Sequence, residues 1–95
     1  MAGWVYIMAN RYRGTMYIGV TTNIAARTFQ HREGNGSHFC KRYRLTRLVY
    51  ADQTPRIEDA IAREKAMKKW NRAWKIDLVE QANPDWNDLF ETLNA

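Results

Sequence analysis

Trp4-Val5-Tyr6-Ile7-Met8, the turn Asn10-Arg11-Tyr12-Arg13-Gly14 and the run Met16-Tyr17-Ile18-Gly19-Val20 form the stretch from which the fold is read. The two outer runs are short, apolar and rich in aromatic and β-branched residues, the side chains that pack well on a pleated surface. The polar segment between them predicts a turn, so the stretch predicts an antiparallel hairpin. Successive strand side chains point to opposite faces, so Trp4, Tyr6 and Met8 share one face, and Tyr17 and Gly19 share a face of the second strand. Two phenols can therefore face one site.

Working outward, Thr22 or Asn23 offers a helix N-cap, and Ile24 to Arg32 reads as a helix stopped by Glu33-Gly34-Asn35-Gly36. Ser37 to Arg47 reads as an exposed, irregular basic loop before a third strand at Leu48-Val49-Tyr50. Thr54-Pro55 opens a second helix, with Glu58 and Asp59 suited to its positive dipole end, and this helix runs to about Trp70. Arg72 to Gln81 continues helical until Asn83-Pro84. A C-terminal turn, Trp86 to Leu93, is expected to fold Trp86, Leu89, Phe90 and Leu93 back onto the core. The expected fold class is α/β in the α+β sense: a small three-stranded antiparallel sheet flanked by helices, one domain over residues 1–95.

Composition bounds the rest. Ninety-five residues with 45% hydrophobic and 13% aromatic content leave room for one thin core. A lone Cys40 rules out an internal disulfide and the usual structural zinc modules, which favours a reducing, cytoplasmic setting. No apolar run reaches the roughly 18 to 20 residues that span a bilayer, and no basic n-region precedes an apolar stretch, so a soluble, unexported protein is expected. The net charge of +5 is split unevenly. Residues 1–50 hold eight Lys/Arg against the single acid Glu33, whereas residues 51–95 hold seven against nine acids. A half so nearly free of carboxylates favours a polyanionic partner.

Two groups of residues carry chemistry. Ile57, Ile61, Glu64 and Lys68 fall at helical spacing, with Ala60 and Met67 flanking Glu64, so a carboxylate interrupts an apolar stripe. Holding it ionised there costs several kcal/mol unless a cation or hydrogen-bond donors compensate. Glu64 should therefore meet a metal or a basic side chain; an i,i+4 pair with Lys68, about 0.3–0.5 kcal/mol, is the simpler alternative. Arg27 and His31, four residues apart, project from one helix face. Arg can hold a phosphate bidentately and His can move a proton near neutral pH, which suits phosphodiester chemistry; a solvated face with a stacked His is the plainer reading. Ser37, His38 and Cys40 supply too few ligands for zinc.

Taken together, Trp4-Val5-Tyr6, Tyr17-Ile18-Gly19, Thr21-Thr22-Asn23-Ile24 leading to Arg27, then His31, and Glu64 within Ala62-Arg63-Glu64-Lys65 resemble the GIY-YIG nuclease family over almost the whole chain. Lys68, Trp70, Arg72, Lys75, Ile76 and Asn83-Pro84-Asp85-Trp86 are similar to its small standalone members. The resemblance implies a metal-dependent DNA endonuclease, structure-selective more than sequence-selective, in DNA repair or processing. It implies catalytic residues Tyr6, Tyr17, Arg27, His31 and Glu64, with one Mg²⁺ or Mn²⁺ on Glu64. Tyr6 is the first candidate for accepting a proton from the attacking water, with His31 as relay or competing base. Two positions depart from the family pattern: Trp4 replaces a glycine, and Val20 stands where some members carry lysine. DNA phosphates are expected to meet Arg11, Arg13, Lys41, Arg42, Arg44, Arg47, Lys65, Lys68 and Lys69. Phe39, Tyr43 or Trp74 could stack on an unpaired base. The alternative function is a nucleic-acid-binding module with weak or no catalysis, or a partner-dependent nuclease subunit.

Overall fold

Backbone pairing in the computed structural model, which describes residues 1–93, follows directly from the hairpin. Strand β1 spans Gly3–Ala9 and β2 spans Met16–Thr21, with Tyr6 opposite Gly19, Ile7 opposite Ile18 and Met8 opposite Tyr17. Strand β3, Arg47–Thr54, pairs antiparallel with the other side of β1, giving the order β2-β1-β3. The helices are α1 (Ile24–Arg32), α2 (His38–Tyr43), α3 (Ile57–Lys68), α4 (Arg72–Ala82) and α5 (Phe90–Leu93). The fold is thus a three-stranded antiparallel sheet with helices, mixed α and β.

The period of two in β1 sorts its side chains onto two cores. Val5, Ile7 and Ala9 join Ile18, Val49, Met67 of α3, Val79 of α4 and Trp86. Tyr6 and Met8 join Ile24 of α1, Cys40 of α2, Leu45 and Leu48 on the opposite face. The sheet is therefore sandwiched, α3 and α4 on one side and α1 and α2 on the other. Each large side chain so buried contributes about 1.5–3 kcal/mol.

Four expectations need correction. Ser37 to Arg47 is not an irregular loop: α2 lies within it, capped by Ser37 Oγ accepting from Cys40 N at 3.2 Å and closed by Arg44 in the left-handed region at φ 57°. Cys40 and Leu45, 2% and 0% exposed, pin this short helix to the sheet. β3 runs four residues past Tyr50, because polar Asp52, Gln53 and Thr54 pair with the start of β1. The third helix starts at Ile57 rather than at Pro55, with Arg56 as an N-cap that lends no side-chain bond, and ends before Trp70. Its buried stripe is Ala60 and Met67, with Ile61 turned out to 37% exposure.

The C-terminal segment returns to the core as expected. Trp86 is fully buried, and Leu89 N donates to Leu48 O at 2.8 Å. Arg32 lies over the Phe90 ring, 4.7 Å from its centroid. The side chain of Leu93, expected to join them, lies outside the described residues. No helix among the described residues is long and apolar enough to cross a membrane.

Candidate active site

Gly19 determines how the hairpin phenols meet. A Cβ at this position would lie 2.5 Å from Cζ and Oη of Tyr6 and 2.9 Å from Cε2 of Tyr17, so only glycine lets the Tyr6 ring cross β2 beside Tyr17. The two ring centroids stand 6.4 Å apart. On the same side of the sheet, α1 begins at Asn23, whose Oδ1 accepts from Ala26 N at 3.1 Å. That cap fixes the helical phase, and the i,i+4 spacing turns Arg27 and His31 together toward the phenols.

Arg27 Nε donates to Tyr6 Oη at 3.3 Å, and Tyr6 Oη lies 3.0 Å from His31 Nε2. The Tyr6 oxygen thus accepts from Arg27 and also hydrogen-bonds Nε2 of His31, the direction of that second bond following the imidazole tautomer. Nδ1 is buried without a partner, and a Cβ at Gly36 would fall 2.2 Å from it, so the chain after α1 closes directly over the ring. Tyr17 flanks the pair, its centroid 5.7 Å from that of His31.

Burial pushes the Tyr6 phenol up to about 12, and the Arg27 hydrogen bond offsets only part of that. Burial, then the Arg27 charge, push the His31 imidazole below its ordinary value. Arg27 is raised, first by its bond to Tyr6. At neutral pH the cluster is therefore a protonated phenol, a neutral imidazole and a guanidinium. A phenol so raised holds its proton at neutral pH, and the neutral imidazole bonded to it is a group able to take one.

Glu64 enters from the other helical layer. Its side chain is 15% exposed on the stripe between Ala60 and Met67, and Lys68 Nζ lies 3.5 Å from Oε1. Among the described residues no hydrogen bond joins Glu64 to Tyr6, Arg27 or His31, and its partner Lys68 shares a cavity with Tyr17. Lys68, Arg72 and Lys75 line a cavity of about 480 Å³ whose other walls include Tyr17 and Phe39. Arg72 and Lys75 were not among the expected DNA contacts. Nothing local singles them out: α4 is brought across the hairpin turn by tertiary bonds, Arg72 Nη2 donating to the carbonyls of Arg13 and Gly14 at 2.6 and 2.8 Å.

The expected phosphate contacts divide. Arg11, Lys41, Arg42, Arg44, Lys65 and Lys69 are exposed. Arg13 is committed to Glu80 through two bonds of 2.7 Å, and Arg47 Nη1 donates to Trp86 O at 3.1 Å. These two arginines tie elements together, and Lys68 is occupied with Glu64.

The family model of the GIY-YIG catalytic domain matches residues 2–77. The chain belongs to the GIY-YIG family. Its relatives include a UPF0213 protein of Staphylococcus haemolyticus, 32% identical over 78 residues, covering 82% of this chain and 94% of the relative. A UPF0213 protein of Syntrophus aciditrophicus is 34% identical over 83 residues, covering 86% and 93%. The solution NMR structure of a UPF0213 protein from Bacillus halodurans matches with a TM-score of 0.53 at 29% identity, over 87% of each chain. GIY-YIG domains are generally endonucleases that use divalent metal ions and act on DNA.

Among the described residues no group of three or more His, Cys, Asp or Glu could hold a metal ion. Glu64, the expected ligand, offers one carboxylate. That donor set fits a hard cation such as Mg²⁺, which retains several waters and takes further oxygens from a bound phosphate.

Proposed function

We propose that this chain is a metal-dependent DNA endonuclease, hydrolysing phosphodiester bonds at the free edge of β2 in DNA repair or processing in the cytoplasm. The observation that carries the reading is the Arg27–Tyr6–His31 chain, in which a neutral imidazole stands ready behind a phenol and a guanidinium. Arg27 turns from Tyr6 to the scissile phosphate and neutralises charge growing on its oxygens, worth about 3 kcal/mol or more when preorganised. Tyr17, half-buried at the cavity wall, orients the attacking water. Tyr6, relieved of its bond to Arg27, takes the water's proton as it passes its own to Nε2 of His31. Glu64 would hold one Mg²⁺ or Mn²⁺, which supplies Lewis-acid stabilisation of the leaving oxygen when bound. The exposed cations contact backbone phosphates and read no bases, so selection is by DNA structure.

The test is cleavage of flaps, forks, duplex and single strands with Mg²⁺ or Mn²⁺, by the parent protein and by Glu64→Gln. The parent is expected to nick at least one substrate, and the variant to bind DNA and lose cleavage by about a hundredfold or more. The Glu64–Lys68 pair, which compensates the carboxylate with an ammonium, favours a second reading, a nucleic-acid-binding module with weak or no catalysis or a partner-dependent subunit. Binding by the parent without cleavage in either metal would establish that alternative.

A further inference from the structure

The phenol of Tyr17 does not end at the site described. Its ring is the first of a row: Tyr17 to Phe39 is 6.3 Å between centroids at 32°, and Phe39 to Tyr43 is 4.9 Å at 49°. Phe39 and Tyr43 sit four residues apart on α2 and each remains 42% exposed. The row is held rigidly, because α2 is capped by Ser37 and pinned by buried Cys40 and Leu45. A phenylalanine this exposed contributes little to the core and leaves aromatic surface available to a partner.

The cavity beside this row has the composition of a nucleotide site. Its volume of about 480 Å³ falls within the range of about 300–1,000 Å³ usual for small-ligand pockets. Tyr17 and Phe39 supply aromatic surface to its lining, and Lys68, Arg72 and Lys75 supply cations. Lys75 makes no ion pair among the described residues. At the outer end of the row Arg42 lies 5.6 Å from the Tyr43 ring centroid, adding a further cation.

Bases within a duplex have both faces covered by their neighbours; only an unpaired or extruded base can lay a face on a protein ring. We propose that the Tyr17–Phe39–Tyr43 row and the cavity beneath it receive one unpaired nucleotide of a DNA strand. The base stacks on Phe39 and the attached phosphate lies against Lys75. Combined with the nuclease reading, on which the position of the scissile bond rests, this makes the boundary between duplex and single strand the preferred substrate. The nucleotide on Phe39 is the unpaired neighbour of the phosphate that Arg27 receives.

The experiment measures binding in EDTA, at one fixed salt concentration, to a blunt duplex and to the same duplex carrying a single-stranded overhang. A 2-aminopurine at the first unpaired position reports stacking by quenching. The parent protein should quench the probe and prefer the overhang. Phe39→Ala should abolish the quenching and reduce the ratio of overhang to blunt-duplex affinity by roughly five- to a hundredfold, with an unchanged melting temperature; Phe39→Trp should restore both. An unchanged ratio with quenching retained in Phe39→Ala would overturn the proposal, and metal-dependent cleavage by the parent would then leave the nuclease reading intact. Phe39-dependent quenching without cleavage in any metal would instead support the nucleotide site and remove the nuclease.

Discussion

His31 is the residue whose chemistry the fold alters most. Its 2% exposure, and a neighbouring guanidinium that already bonds to Tyr6, place its folded pKa below the ordinary 6.5. On acidification through 6.5 the unfolded chain takes up a proton that the folded chain refuses, so stability is complete above that pH and is lost below it. The melting temperature of the parent is expected to fall more steeply below pH 6.5 than that of His31→Gln, measured by thermal denaturation across pH 4.5 to 8. Equal slopes would show that the imidazole is solvated. The sequence disclosed that Arg27 and His31 share a helix face, because four-residue spacing is a property of the helix itself. It did not disclose that Tyr6 is wholly buried between them, since that depends on α2 and the Gly36 turn closing the layer. That burial raises the Tyr6 phenol, so its expected part as proton acceptor depends on the imidazole bonded to it.

At the scale of elements, the pairing of β1 with β2 makes a glycine the constraint. With Gly19 opposite Tyr6, the missing side chain is the space through which the phenol ring passes. Gly19→Ala is expected to destabilise by about 1–3 kcal/mol through overpacking, and to cut cleavage more than tenfold by displacing both phenols. Chemical denaturation and the nicking assay check the two effects separately. The hairpin, α1 and α4 were legible because apolar spacing and caps are local signals. Helix α2 was not: two buried anchors, Cys40 and Leu45, within a basic stretch are too few to establish a period, and its stability comes from the sheet beneath. The end of β3 was also hidden, because its polar residues are held by pairing with β1 and not by burial of their own.

The whole molecule is braced by Glu80. Its carboxylate accepts two bonds from Arg13 at the hairpin turn and one from Trp86 Nε1 at 2.8 Å, so α4, the hairpin and the C-terminal segment meet at one side chain. Arg13 first and Trp86 second pull the Glu80 carboxyl down to about 2. This stabilisation is present above the ordinary carboxylate value of 4.5 and disappears as pH falls toward 2. Glu80→Gln should melt below the parent at neutral pH, with the gap narrowing on acidification, and a constant gap would mean that the bonds are structural without being charge-dependent. Convergence of Tyr6, Tyr17, Arg27 and His31 was legible as a pattern of residue types; that Glu64 pairs with Lys68, which shares a cavity with Tyr17, Arg72 and Lys75, required the three-dimensional packing of both layers. The strand order carries a further consequence for biosynthesis. The middle strand leaves the ribosome first, yet one of its neighbours is made only when Arg47–Thr54 has emerged. A nascent chain halted before Arg47–Thr54 has emerged would already hold both phenols, the guanidinium and the imidazole, while one flank of β1 waited unpaired, a vulnerable interval in which chaperones and proteases compete for it.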